Sequence, residues 1–188
     1  IDTEGGFSVD RFKQVAGEDY NDLLPKILLL SPTTFEEQKQ NFKTLLKEIN
    51  KDSNIGLIIV DSITMLYRLA LGEASINREN EKVHLINRDL ASQLRILSEI
   101  SRKRGIPVII TNQVYYDFVS GEDFKNGKEK TANMVGGDLL KYWSKCHIEL
   151  KYSEGKRTAV LRKHRSLPEK ELLFAISNEG IRKKGFFI

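Results

Sequence analysis

Apolar positions along this chain follow two kinds of pattern. Uninterrupted runs, Ile27 to Leu30, Leu57 to Val60 and the stretch Val108 to Thr111, predict strands. Apolar residues three and four apart predict helices: Val9, Phe12 and Val15-Ala16; Phe42, Leu45, Leu46 and Ile49; Ile86, Leu90, Leu94 and Leu97. The central run, Gly56-Leu57-Ile58-Ile59-Val60-Asp61-Ser62, places four large apolar residues in a row before a carboxylate. A strand half open to water alternates, so this one is expected to be buried on both faces in the middle of a parallel sheet.

Local signals punctuate these segments. Ile1 to Phe7 predicts the last residues of a strand breaking into a turn at Gly5-Gly6, and an N-terminal portion is expected to precede it. Ser8 is placed to cap a short helix ending at Gly17. Pro32 to Glu37 holds two overlapping capping boxes, Thr33 with Glu36 and Thr34 with Glu37, ahead of the second helix. Ile63 to Leu71 is apolar with Tyr67 and Arg68 embedded, Gly72 to Lys82 predicts a loop or frayed helix, and Leu85 to Arg104 a helix stopping at Gly105. Pro107 suits only the start of the following strand. Strands and helices alternating over short connections predict an α/β fold with right-handed crossovers.

Beyond Val114 the pattern changes. Tyr115 to Val135 shows no sustained period and mixes four acids with three lysines, which predicts a long loop. Gly136-Gly137 opens a short helix through Leu139, Leu140 and Trp143. His147 to Tyr152 and Arg157 to His164 predict a hairpin around Ser153-Glu154-Gly155, and Leu172 to Ile176 one further strand.

Composition narrows the class. With 188 residues, 40% hydrophobic and 30% charged, the chain suits one soluble globular domain. No apolar run approaches the roughly 20 residues that span a bilayer, and a cytoplasmic protein is expected. Cys146 has no second thiol to pair with, and His84, His147 and His164 lack metal-ligand spacing. The net charge of +4 is uneven: residues 1 to 138 carry 18 Lys/Arg against 21 Asp/Glu, and residues 139 to 188 carry 12 against 5, a surplus of +7. The C-terminal quarter is the better candidate to meet a polyanion, although a solvated basic face has the same composition.

An isolated ionised Asp at the inner end of a buried strand is costly unless paired, hydrogen-bonded or beside a metal, so Asp61 is expected where the sheet opens to a ligand. Sheets that hydrolyse nucleotides keep there the carboxylate that serves Mg²⁺, the Walker B role. Ile1 to Phe7 (IDTEGGF), Leu57 to Arg68 (LIIVDSITMLYR), Pro107 to Val114 (PVIITNQV), Gly136-Gly137, and Leu167-Pro168-Glu169 followed by Phe174-Ala175-Ile176 resemble, in order, successive landmarks of the RecA/RadA recombinase ATPase core. Within that family the continuation IDTEGGFS and the divergent long loop resemble the archaeal RadB branch. The resemblance implies a RecA-like P-loop NTPase core over residues 1–188: a largely parallel central sheet flanked by helices, with antiparallel strands added toward the C-terminus.

The resemblance also implies roles. Glu4 matches the catalytic glutamate that polarises the attacking water. Asp61 matches the Walker B aspartate, holding Mg²⁺ through water with Ser62 beside it, and Gln113 the glutamine that senses the γ-phosphate. Lys163 and Pro168 fall in the segment that caps a neighbouring subunit's nucleotide, and strand-exchanging archaeal and eukaryotic relatives carry an aspartate near Lys163. Two loops match the family's DNA-binding pair: one at about Leu69 to Lys82 with Arg78 and Lys82, following Arg68, the other at Tyr115 to Val135 with Lys125, Lys128 and Lys130. Neither is basic, so weak, salt-dependent and sequence-independent binding of single- and double-stranded DNA is expected. No G-x-x-x-x-G-K-[ST] occurs, and a fragment lacking the N-terminal Walker A strand, loop and helix is expected rather than a nucleotide-free remnant. The implied function is a RadB-like accessory factor in DNA repair and homologous recombination that binds ATP and Mg²⁺, hydrolyses ATP weakly, and meets the recombinase, other repair proteins or copies of itself. A strand-exchanging recombinase and a nucleotide-free DNA- or partner-binding module remain the alternatives.

Overall fold

The computed structural model describes residues 1–51, 54–116 and 132–184. In chain order they form α1 (Val9–Ala16), α2 (Tyr20–Leu23), α3 (Phe35–Asn50), β1 (Ile58–Val60), α4 (Met65–Ile76), α5 (Asn80–Arg104), β2 (Val108–Ile110), β3 (Val114–Tyr116), β4 (Ala132–Met134), α6 (Gly137–Trp143), β5 (His147–Ser153), β6 (Lys156–Lys163), β7 (Lys170–Ser177) and β8 (Gly180–Lys183). This is an α/β protein, and it divides into two compact units, residues 1–6 with 29–143 and residues 7–28 with 144–188.

In the first unit β1 and β2 run parallel, with Ile58 opposite Val108 and Val60 opposite Ile110. Ile1 to Thr3 lies along the other side of β1 through a parallel bridge from Asp2 to Asp61. Helices α3, α4 and α5 cover one face, where Phe42, Leu45, Ile49, Leu66, Leu90, Leu94 and Leu97 close on Ile58 and Val60. The overlapping capping boxes resolve into one start for α3: Thr34 Oγ1 accepts from the Glu37 amide at 3.1 Å, while Glu37 Oε2 accepts from the Thr33 amide and hydroxyl at 2.7 and 2.8 Å. The chain leaves α5 at Gly105, in the left-handed region with φ 68°.

Four expectations need correction. Ile59 is 48% exposed, as are Leu57 and Ile109 to a similar degree, so β1 alternates instead of being buried on both faces; among the described residues the helices pack on one side only. Ile27 to Leu30 forms no strand: a 3-10 turn at Leu24–Lys26 precedes it, Leu28 and Leu29 are exposed, and its link to the sheet is the Asp2 amide donating to the Leu30 carbonyl at 2.9 Å. Gly72 to Lys82 is helical except at residues 77–79. Burial of Ala74 offsets the roughly 1 kcal/mol that Gly72 costs a helix, and the break falls at Arg78, whose φ is 57°. The ends of the stretch Tyr115 to Val135 are paired, because Val114–Tyr116 and Ala132–Met134 form an antiparallel ladder; residues 117–131 lie outside the described residues.

The second unit is an antiparallel sheet in the order β5-β6-β7-β8 with α1 and α2. The first hairpin turns on Glu154 and Gly155, φ 51° and 72°, between the paired residues Ser153 and Lys156. Such a two-residue turn with both φ positive matches the twist of the flanking strands. Ser8 Oγ accepts from the Arg11 amide at 3.2 Å, as the capping pattern predicts, but no residue of α1 is buried. Instead Arg11 donates to the carbonyls of Ser177 and Asn178 at 2.7 and 2.9 Å, tying the helix to the β7–β8 turn. Strand β8 escaped the sequence reading because Ile181 is its single large apolar residue.

Candidate functional site

Parallel pairing brings three polar strand ends together. The Asp61 amide donates to the Ile1 carbonyl at 2.8 Å, and the Ile63 amide donates to the Thr111 carbonyl at 3.2 Å, so Glu4, Asp61-Ser62 and Thr111-Asn112-Gln113 all follow the same edge of the sheet. Thr3 fastens that edge: its hydroxyl donates to the Ser62 carbonyl at 2.8 Å and accepts from the Ser62 amide at 3.0 Å. Asp2 Oδ1 accepts from the Glu4 and Gly6 amides at 3.2 Å, which closes the turn through Gly5, φ 67°, and aims Glu4 outward. A left-handed φ at that turn is where glycine costs nothing and a side chain would be strained.

The side chains form two linked sets. Asp61 is half-buried and its Oδ1 accepts from the Thr111 hydroxyl; its Oδ2 has no partner among the described residues. The peptide between Asp61 and Ser62 is cis. Ser62 is 2% exposed and its Oγ meets no partner among the described residues. Gln113 Nε2 donates to Glu4 Oε1 at 2.9 Å, and Gln113 Oε1 accepts from Arg68 Nη1 at 2.9 Å. Asn112 bonds the buried Thr64 hydroxyl and donates from Nδ2 to the Val135 carbonyl at 2.9 Å, while the Val135 amide donates to the Gln113 carbonyl at 3.2 Å. The residues after β2 are thus joined to the end of the β3–β4 stem.

Of the residues proposed from sequence, Glu4, Asp61, Ser62, Gln113 and Arg68 share this edge. Arg68, expected at a DNA surface, bonds Gln113 at this edge. The first DNA-binding loop, Leu69 to Lys82, is corrected to helix: Lys82 pairs with Glu79 at 2.9 Å, which raises its pKa, and Arg78 occupies the break between α4 and α5. Lys125, Lys128 and Lys130 lie outside the described residues. Thr3, Thr111 and Asn112 were missed as partners; the polar residues ending an apolar run were their one visible signal.

In the second unit Lys163 and Pro168 lie at the β6–β7 connection. Arg162 is occupied, its Nε donating to Glu149 Oε2 at 2.6 Å and its Nη1 to Glu169, and the Glu149 carboxylate pushes its pKa up. Lys163 Nζ donates to the Ser144 carbonyl at 3.2 Å. His164 Nδ1 accepts from the Ser166 and Leu167 amides at 3.2 and 3.1 Å, holding the turn before Pro168. Arg165 is exposed and has no partner among the described residues. Among those residues there is no cluster of three or more His, Cys, Asp or Glu that could hold a metal, and no helix is long and apolar enough to cross a membrane.

A model of the Rad51 family matches residues 1–184. The chain is 36% identical over 185 residues to the DNA repair and recombination protein RadB of Methanobrevibacter smithii, a span covering 96% of this chain and 73% of that protein. It is 42% identical over 182 residues to a RadB of Methanococcus maripaludis, covering 96% and 75%. Against the RadB of Methanocaldococcus jannaschii the identity is 37% over 181 residues, covering 96% and 77%.

Proposed function

Since this chain belongs to the Rad51 family and is RadB-like over nearly its whole length, we propose that it serves DNA repair and recombination as an accessory factor that binds ATP and Mg²⁺ and turns ATP over slowly. The observation that carries the nucleotide reading is the meeting of Glu4, Asp61 and Gln113 at one edge of a parallel sheet. Ligands of open α/β sheets bind outside the carboxyl ends of the strands. Asp61 suits a water-mediated Mg²⁺, because Mg²⁺ keeps several waters and takes one or two carboxylates with the substrate phosphates. Its Oδ2 and the Ser62 hydroxyl, both without a partner among the described residues, are the groups that would hold it. The bound ion supplies charge neutralisation on the transferred phosphate. Glu4 is aimed outward beside Asp61, as a carboxylate orienting a water must be.

Support for the accessory role over a strand-exchanging recombinase comes from the cations. Lys82 is paired with Glu79, and Arg162 with Glu149 and Glu169, so few charges on these segments are open to DNA phosphates. In the full-length protein Glu4→Gln is expected to retain ATP binding and lower turnover about 100-fold or more. Asp61→Ala is expected to remove the Mg²⁺ dependence of binding as well. An Asp61→Ala protein that bound and hydrolysed ATP like the parent would sink the nucleotide reading, and strand exchange by the purified parent would favour the recombinase.

A further inference from the structure

Arg68 stands on the first turn of α4, exposed, with its guanidinium on the Gln113 amide oxygen while the amide nitrogen rests on Glu4, each bond 2.9 Å long. The end groups fix the orientation of the middle one. A guanidinium only donates and a carboxylate only accepts. A primary amide between them has one arrangement that satisfies both, oxygen toward Arg68 and nitrogen toward Glu4. A carboxylate at position 113 would repel Glu4, and an ammonium would repel Arg68. The three groups therefore form a cation, a dipole and an anion in line, spanning from a helix surface to the strand-end site.

We propose that Arg68 is a positioning residue for Glu4, acting through Gln113. While Arg68 holds the amide oxygen, the amide nitrogen stays on the Glu4 carboxylate and is turned from a nucleotide. When a nucleic-acid phosphate draws Arg68 away, the amide is free to rotate, and Glu4 and Gln113 are released together. The inference rests on reading Glu4 as the carboxylate that orients the attacking water. A phosphate competes well for the guanidinium, because a charge-assisted bond to an anionic oxygen is stronger than one to a neutral amide oxygen. It also has access, since Arg68 is exposed and its neighbour Leu69 is too. The Val135 amide on the Gln113 carbonyl, at 3.2 Å, keeps the backbone of this residue anchored, so the motion required is confined to the side chain.

The test uses the full-length protein as parent, Arg68→Ala, Arg68→Lys and Glu4→Gln. Three quantities are measured: ATP turnover with and without single-stranded DNA, affinity for a fluorescent ATP analogue, and the side-chain amide resonance of ¹⁵N-labelled Gln113 without nucleotide. Arg68→Ala is expected to shift the Gln113 resonance, raise DNA-free turnover about threefold to tenfold and remove most of the stimulation by DNA. Analogue affinity is expected to change less than turnover. Arg68→Lys, whose ammonium still donates to the amide oxygen, is expected to restore the parental resonance and DNA response. A parental Gln113 resonance and parental turnover in Arg68→Ala, alongside inactive Glu4→Gln, overturns this inference and leaves the reading of Glu4 standing. Full turnover in Glu4→Gln overturns that reading first.

Discussion

A pair of buried glutamines supports the segment that follows Asp61, and its energetics can be worked from the structure. Gln38 on α3 and Gln93 on α5 are 0% and 2% exposed. Gln38 Nε2 donates to Gln93 Oε1 at 2.7 Å and to the Ile63 carbonyl at 3.2 Å, two residues beyond Asp61. Gln38 Oε1 and Gln93 Nε2 meet no partner among the described residues. Gln93→Met takes one acceptor from the Gln38 amide but leaves it the Ile63 carbonyl, at a cost of about 1–2 kcal/mol. Gln38→Met strands both the Ile63 carbonyl and the whole Gln93 amide, at a cost of about 2–3 kcal/mol. The double variant removes both unpartnered atoms along with the bond between the amides, leaves the Ile63 carbonyl as the one group stranded, and Met fills nearly the same volume. It is expected within about 1 kcal/mol of the parent, a coupling of roughly 2 kcal/mol or more between the two positions. Urea unfolding of the full-length protein, followed by the fluorescence of Trp143 where it packs against the core, measures all three variants. A double variant destabilised by the sum of the singles would refute the reasoning, because the two amides would then contribute independently with no coupling between them.

Two further perturbations follow from local geometry. The Thr33 amide and then its hydroxyl, both donating to Glu37, hold the Glu37 carboxyl below its ordinary value. Its contribution to the start of α3 is therefore present above the ordinary glutamate range and lost as pH falls through the depressed folded value. In the parent the Thr33 amide resonance is expected to titrate in that acid window; in Glu37→Gln, which keeps an acceptor but no charge, it is not, and titration in both proteins would show another group at work. Gly136→Ala and Gly105→Ala form a matched comparison, since both glycines have positive φ, 77° and 68°. A Cβ at Gly105 meets nothing within 4 Å and costs about 1–2 kcal/mol, whereas one at Gly136 lies 3.1 Å from Leu140 Cδ1 and 3.5 Å from Thr64 Cγ2 and is expected to cost about 2–4 kcal/mol. Equal shifts in calorimetric melting temperature would show that the Leu140 side chain gives way freely.

What the sequence disclosed, and what it hid, divides along the range of the interactions. Helices α1, α3 and α5 were legible from caps and spacing, and their ends at Gly17, Thr34 and Gly105 agree with local chemistry that a few residues decide. The hairpin through Glu154-Gly155 was legible for the same reason. Gly72 misled because a helix penalty of about 1 kcal/mol is smaller than the gain from burying Ala74, and that gain depends on α5. The central strand misled because an uninterrupted apolar run records what the chain can bury, while exposure depends on which elements face it. At the site the residue types were legible one by one. Their connections were not, since the Gln113–Glu4 bond joins residues 109 apart and the Arg68–Gln113 bond residues 45 apart. Those distances close only when parallel pairing has aligned the strand ends, and periodicity carries no register for a parallel pair.

Charge shows the same division in a form that bears on function. The surplus of +7 after residue 138 is plain in the sequence, and it suggests a broad surface for a polyanion. The structure separates cations already committed from those that are open. Arg162 lies between Glu149 and Glu169, Lys163 donates to the Ser144 carbonyl, and Arg157 sits 4.9 Å from the centre of the Tyr152 ring. Each phosphate contact adds about 0.9 to the slope of log affinity against log salt on duplex DNA. A cation already held by a carboxylate must break that pair before it contributes, so the formal surplus overstates the number of phosphates these strands can neutralise. In the Arg162-to-Arg165 run, Arg165 is the exposed charge without a partner among the described residues. Part of the basic composition of this unit is therefore committed within the β5–β6–β7 sheet and its connection, and an anion that binds at that connection would meet Arg165 beside the turn held by His164.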